Sequence, residues 1–321
     1  MTSWTGTDER GRVRTIVNRT TELAPLKVVA AKAIALAEDE RSAALDLAAV
    51  ISSDQALTAK LLRLANSAYY GYARRISNVR EAVILLGMRT VRSVAIASSI
   101  MDAFRVPETE GFDVELFWGH AVAVGVVAEQ IARETRAARP EDAFTAGVLH
   151  DVGRLAMAVV EPDRFQTMVR LVVEKGMTTR EAEFAAFGVY HWQVGSRLAQ
   201  RWRFPEPLVE AIREHAKSDT RSLSSLADVV AAANLACNKF GYAAGFDWTN
   251  RPERWPTLAL SPRVERVLDA VPGGIHALME RARTFLVNVS SRPPRWFRSP
   301  LADGAEEEEQ PEPGTAIDGA A

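Results

Sequence analysis

The 321-residue sequence has a single cysteine, Cys237, so it can form no intramolecular disulfide, which suits a reducing compartment. No uninterrupted apolar run approaches the length of a membrane span. The first ten residues lack the basic-then-apolar order of a secretory signal. These absences predict a cytoplasmic protein with no membrane partner. A large net charge is also missing: the formal value of −2 by itself favours no polyanionic partner. The apolar/polar alternation of half-buried strands is almost absent, and there is no internal repeat. Nor is there a receiver, kinase or cyclase segment whose chemistry would name an input.

Helical periodicity is what the chain does have. Val28, Ala31, Ile34 and Ala35 share one helical face, as do Leu57, Leu61, Leu64 and Ala65, with Ala68 following, and Val124, Val127, Ala128 and Ile131. Pro25, Gly71, Gly87, Pro107, Pro140, Gly176, Pro205 and Pro207 punctuate the segments. The predicted fold is all-α: two packed helical bundles with a disordered acidic C-terminal tail. The division is a polar leader (1–20), a first bundle (21–108), a second bundle holding all five histidines (109–290), and the tail (291–321). The stretch from Phe246 to Pro262, rich in Trp and Pro, reads as an irregular loop. Ahead of the helix carrying Leu57 to Ala68, Ser52 with Gln55 fits a capping box and Asp54 fits a simple N-cap; both remain open. Gly71 reads as the residue that ends that helix.

Charge is unevenly spread. The tail carries seven acidic residues (Asp303, Glu306, Glu307, Glu308, Glu309, Glu312, Asp318) and no base after Leu301. Removing seven negative charges from a net −2 leaves the rest of the chain at +5. The tail either folds back on this mildly basic body or keeps it soluble. Arg292, Arg295, Trp296 and Arg298 form a candidate short binding motif, although a solvated end is the favoured reading.

The chemistry concentrates at His150-Asp151, inside Ala146-Gly-Val-Leu-His-Asp-Val-Gly-Arg-Leu-Ala156. An imidazole and a carboxylate side by side offer mixed ligation to a transition metal, and burying them unpartnered at the end of an apolar run is costly. Their partners are a cation, or Arg154 and nearby backbone. His120 lies near the start of an apolar helix, His191 opens another and His215 ends the next, which is how helical bundles build metal sites. His276 reads as an ordinary histidine, on the surface or hydrogen-bonded in the core, with no part in the site.

Two long segments carry a family resemblance. They are Ile51-Ser-Ser-Asp-Gln-Ala-Leu-Thr-Ala-Lys-Leu-Leu-Arg-Leu-Ala-Asn-Ser-Ala-Tyr-Tyr-Gly71 and Ile76-Ser-Asn-Val-Arg-Glu-Ala-Val-Ile-Leu-Leu-Gly-Met-Arg-Thr-Val-Arg92, and the match continues through the His150-Asp151 segment to His191-Trp202 and Pro205. Over roughly residues 20–245 the chain resembles HDOD domain proteins. That family is similar to the HD metal-dependent phosphohydrolases and to the HD-GYP phosphodiesterases that cleave cyclic di-GMP. The resemblance implies an HD-like second bundle and bacterial signalling or regulation, with most members lacking a complete metal site. It implies metal ligands at His120, His150 and Asp151, with His191 and His215 at the additional histidine positions of the HD-GYP subfamily. The final Asp of the pattern falls on Asn234, a neutral and weaker ligand; Asp228, about 120° away around an ideal helix, is a poor substitute. Arg154 stands where HD-GYP proteins have Lys, and no Gly-Tyr-Pro follows His215.

Three functions follow as expectations. The first is a non-catalytic signalling protein that recognises other signalling proteins or a cyclic dinucleotide, with no cofactor, through Asn66, Tyr69, Tyr70, Tyr72, Arg74 and Arg75 at a helix–loop boundary. The second is a phosphohydrolase or cyclic-dinucleotide phosphodiesterase using Fe, Mn or Zn at the five-residue cage. The third is a DNA-binding regulator, since the segment from Leu45 to Ala68 has a helix-turn-helix look. Its recognition helix offers only Lys60 and Arg63 as bases, a thin basic footprint for DNA.

Overall fold

The computed structural model describes residues 6–35, 40–216, 222–242, 245–246 and 259–290. Among them the chain is all helix, with two isolated bridges joining Phe112 to Thr109 and to Phe246. The elements are α1 (Gly6–Leu23), α2 (Val28–Ala35), α3 (Glu40–Ser52), α4 (Gln55–Ala65), α5 (Val79–Leu86), α6 (Met88–Ala103), α7 (Val114–Thr135), α8 (Pro140–Leu149), α9 (Val152–Val160), α10 (Pro162–Val173), α11 (Thr179–Phe187), α12 (His191–Arg201), α13 (Glu206–Glu214), α14 (Leu226–Lys239), α15 (Pro262–Asp269) and α16 (Gly274–Val289).

Helices α2 to α6 pack on one another, and α6 also rests on α8. The second group is built around α7, which touches α8, α14, α15 and α16. From Phe117 to Ala128 every residue of α7 is buried, as expected for a helix apolar on all sides. Helix α7 and the stretch 140–160 do have the length and composition of membrane spans, contrary to the sequence expectation. Both bury most of that surface inside the protein, because neighbouring helices surround them. Helix α16 packs on both α4 and α7, so it ties the two groups together.

Four local expectations change. The polar leader is not a separate leader. Residues 6–23 form α1, which runs past the expected boundary at residue 20 and packs on α9 and α12. Ile16 and Thr20 are fully buried and Val17 nearly so, which supplies the apolar face that its polar average concealed. At the start of α4 the cap is Asp54, whose Oδ1 accepts from Leu57 N at 3.0 Å. That helix ends at Ala65 rather than continuing to Ala68, capped by Asn66, and Gly71 takes its positive φ of +63° five residues later, in the turn. Pro262, the expected end of the loop after Phe246, is the first residue of α15. Most of that loop, and the whole tail with Arg292, Arg295, Trp296 and Arg298, lie outside the described residues.

Candidate functional site

The His-Asp dipeptide occupies the junction of two helices: His150 caps the C-terminus of α8 and Asp151 precedes α9. Glycine backbones hold the surrounding helices at contact distance. A Cβ at Gly147 would lie 2.6 Å from Gly125 Cα, and one at Gly153 would lie 1.9 Å from the His191 carbonyl oxygen. These contacts clamp α8 on α7 and α9 on α12, and so bring together histidines that are distant in sequence.

All five predicted cage residues meet. His120, His150, Asp151, His191 and His215 are each at most 2% exposed. Ligand atoms of His120, His150 and Asp151 lie within 4.8 Å of one another, as do those of Asp151, His191 and His215. Asp151 is shared by both trios. It carries its own counter-ion, because Arg154 Nη1 donates to its Oδ2.

The tautomers can be read from the acceptors. His120 Nδ1 lies 2.6 Å from Tyr242 O, His150 Nδ1 2.6 Å from Gly147 O, and His215 Nδ1 2.8 Å from Ile212 O. A carbonyl oxygen only accepts, so each Nδ1 must donate, and in the neutral ring Nε2 is then a bare lone pair. His191 Nδ1 is 2.7 Å from both oxygens of Glu183, which also accepts the His191 N–H at 3.1 Å. Four imidazoles thus anchor one nitrogen and turn the other toward the pocket, the outer-shell arrangement of metal-ligating histidines. His120 Nε2, His150 Nε2 and Asp151 Oδ1 are buried without a hydrogen-bond partner. Asp151 Oδ1 approaches His191 Nε2 at 3.0 Å and His215 Nε2 at 3.3 Å, but without hydrogen-bond directionality, so these atoms converge as ligands do. His191 Nε2 and His215 Nε2 are 3.0 Å apart, a hydrogen-bond distance, so in the absence of a metal ion one of the two rings carries the proton they share. The donor set therefore fits a divalent cation.

The charges agree in part. Burial, with the neighbouring His150, pulls the His120 pKa down to about 3, and burial pulls His215 down to about 4, so both rings are neutral and competent to ligate at neutral pH. Burial and Arg154 also depress His191, but Glu183 and Asp151 outweigh them and its pKa ends above the ordinary value. Burial opposes ionisation of Asp151, yet Arg154, His150 and His191 prevail and hold it well below the usual carboxylate range. Glu183, also opposed by burial, is held low by His191 and Arg154. Arg154 Nε donates to Glu183 Oε1 at 3.0 Å, so one guanidinium serves two buried carboxylates.

The pocket, about 150 Å³, is lined by His120, Asp151, His191 and His215 of the cage together with Arg154, Thr179, Ala216, Asn234, Asn238 and Phe246. Asn234 faces this space, its Oδ1 accepting from Asn238 Nδ2 at 3.0 Å. Asp228 is elsewhere, its carboxylate accepting from Ser222, Ser224 and Ser225 at the start of α14. The sequence reading missed Glu183, Thr179 and Asn238; Arg154, which it offered as a partner of the dipeptide in place of a cation, does engage Asp151 and reaches Glu183 as well. Glu183 had a signal: it sits beside Ala182 and four residues before Phe187, on the buried stripe of α11.

The helix–loop set behaves differently. Asn66 is a structural brace, donating to Leu62 O and Ile76 O and accepting from Ile76 N. Tyr69 packs on Tyr70 and Phe285, with the Arg281 guanidinium 5.0 Å from its ring centre. Tyr72 donates to Leu85 O at 2.6 Å and Arg74 pairs with Glu81 at 2.7 Å, while Arg75 is exposed. Of the two bases on the suggested recognition helix, Lys60 is buried and paired with Asp102 at 2.6 Å, and Arg63 donates to Asn288 O. His276 is exposed on α16.

The model of the HDOD domain matches residues 23–218. The chain belongs to the HDOD family. This HDOD chain is similar to a solved HDOD domain protein of unknown function from Geobacter sulfurreducens, with 26% identity and a TM-score of 0.66 over 88% of this chain and 96% of that one. It is also similar to a candidate phosphohydrolase from Shewanella amazonensis SB2B, with 27% identity and a TM-score of 0.62 over 84% and 97% of the two chains. An uncharacterized protein of Treponema pallidum (strain Nichols) is 30% identical over 171 residues, 53% of this chain. The aligned part is 33% of that curated relative, so the match spans about a third of its length. The family match ends before α14, so Asn234 and Asn238 belong to the part of the pocket that the HDOD pattern does not cover.

Proposed function

We propose that this HDOD protein is a non-hydrolytic signalling protein whose histidine cage holds a divalent transition-metal ion as a structural or sensory element. The observation that carries this reading is the set of four imidazoles with Nδ1 anchored and Nε2 turned inward. It departs from the expectation of no cofactor. His120, His150 and Asp151, or Asp151, His191 and His215, would hold the ion, and a bound ion supplies a Lewis acid that polarises a phosphoryl oxygen or activates water. Two features weigh against turnover. Arg154 already engages Asp151, and Asn234 supplies no second carboxylate to the pocket. Signalling itself follows from the resemblance to HDOD regulators, with protein partners or a cyclic dinucleotide as its expected contacts and the cytoplasm as its expected location.

The phosphohydrolase is the second reading, favoured by the convergence of unpartnered His120 Nε2, His150 Nε2 and Asp151 Oδ1 and by the similarity to the Shewanella protein. Metal analysis of protein purified without a histidine tag, paired with assays on bis-nitrophenyl phosphate and cyclic di-GMP, separates the two. Stoichiometric Fe, Mn or Zn, lost in Asp151→Ala, without turnover supports the first. Metal with turnover establishes the second. Absence of metal under anaerobic and aerobic purification alike defeats both.

A further inference from the structure

On the face of α12 away from the cage, a groove of about 1100 Å³ runs between α1 and α12 and reaches α13. Its lining includes Arg10, Arg14, Arg197 and Arg213 against a single acidic residue, Glu9. Arg10 and Arg14 stand four residues apart and so project from one face of α1. Both are exposed. Arg197 donates to the neutral Gln200, and among the described residues Arg213 pairs with Glu206 at 3.4 Å. Gly11 leaves the floor open, since a Cβ there would meet nothing within 4 Å. Glu9 is already engaged by Gln193. Such a cleft concentrates positive potential and attracts an acidic segment.

The chain carries such a segment. Glu306, Glu307, Glu308 and Glu309 are consecutive, and no base lies after Leu301 to compete for them. Fifteen residues (291–305) lie between Ser290, the last described residue, and Glu306. Extended, they reach roughly 50–55 Å, enough to cross a body whose radius of gyration is about 20 Å at this length. We propose that the arginine groove between α1 and α12 is the docking site of the chain's own acidic segment, Glu306–Glu309. Docking bridges α1 to α12, the helix that opens with His191. Gln193, in the groove, contacts Glu9 and accepts the Tyr190 N–H at 2.9 Å, so the occupied groove braces the turn next to the cage.

Hydrogen–deuterium exchange of the full chain tests this. The variant combines Glu306→Gln, Glu307→Gln, Glu308→Gln and Glu309→Gln, and leaves every cage residue as it is. At low ionic strength, amides in residues 10–14 and 193–200 should exchange about threefold or more faster in the variant than in the unaltered chain. About 0.5 M salt should bring the unaltered chain to the variant's rate and leave the variant unchanged. Arg10→Gln with Arg14→Gln should reproduce the tail variant. Equal exchange in all the proteins overturns the proposal. So does protection that appears only on adding duplex DNA or polyphosphate, equally with either tail, because a separate polyanion then occupies the groove.

Discussion

Arg154→Met tests whether the guanidinium acts as the internal cation of the cage. The substitution keeps most of the apolar stem while removing the charge shared by Asp151 and Glu183, both buried. Removing one partner of a buried ion pair costs about 3–5 kcal/mol, because the carboxylates left behind have lost their compensation. At roughly 2 °C per kcal/mol for a chain of this size, the melting temperature in EDTA should fall by about 6–10 °C. Metal should then reverse part of the loss. An ion at 100 times its Kd stabilises the folded state by about 2.7 kcal/mol. Without Arg154 to repel it and compete for Asp151, the ion should bind the variant about tenfold more tightly, a further 1.4 kcal/mol or so. Scanning both proteins across a Mn²⁺ or Zn²⁺ titration reads the two effects together. The reasoning fails if the variant melts with the unaltered protein in EDTA, or if metal raises the melting point of the unaltered protein by more than that of the variant.

Three further outcomes follow from the same contacts. Glu183→Gln removes the charge that holds His191 above the ordinary histidine value, so the His191 ring should titrate at lower pH by NMR in metal-free protein; an unmoved titration would show that Asp151 alone sets it. Gly153→Ala forces a Cβ to within 1.9 Å of the His191 carbonyl and should cost about 3 kcal/mol or more, whereas Gly11→Ala, with open space around it, should be neutral or stabilising by up to about 1 kcal/mol, both read by denaturant unfolding. Asp102, opposed by burial but held low by Lys60 and Lys27, contributes stability that is complete above the usual carboxylate pKa and is lost as pH falls through its depressed folded value; Asp102→Asn should therefore flatten the acid side of the stability–pH profile, and an unchanged acid limb counts against the pair.

The sequence made the fold class and the cage legible for a shared reason. Both depend on residue type at helical spacing, and His120, His150, Asp151, His191 and His215 each belonged to a segment with its own motif or periodicity. What stayed hidden depended on packing between segments. Nothing in the order Arg154, Glu183, His191 announces that one guanidinium would reach two carboxylates from neighbouring helices. The apolar face of α1 is too narrow to outweigh its charged residues, so averaging hid Ile16, Val17 and Thr20. The Tyr69–Tyr70 boundary looked like a contact surface because aromatics close a core and form an interface in the same sequence language. Only Arg281 and Phe285, more than 200 residues away, distinguish the two.

The glycine contacts between α7 and α8 and between α9 and α12 set a limit on how this pocket can diversify. With main chain against main chain on two sides, no side-chain change can slide those helices apart without losing the folded state, so the geometry of the inner ligands is effectively frozen. Thr179, Asn234 and Asn238, which line the pocket and are only partly buried, are under no such restraint. Selectivity in related chains should therefore vary by exchange of these rim residues while the floor beneath them stays the same.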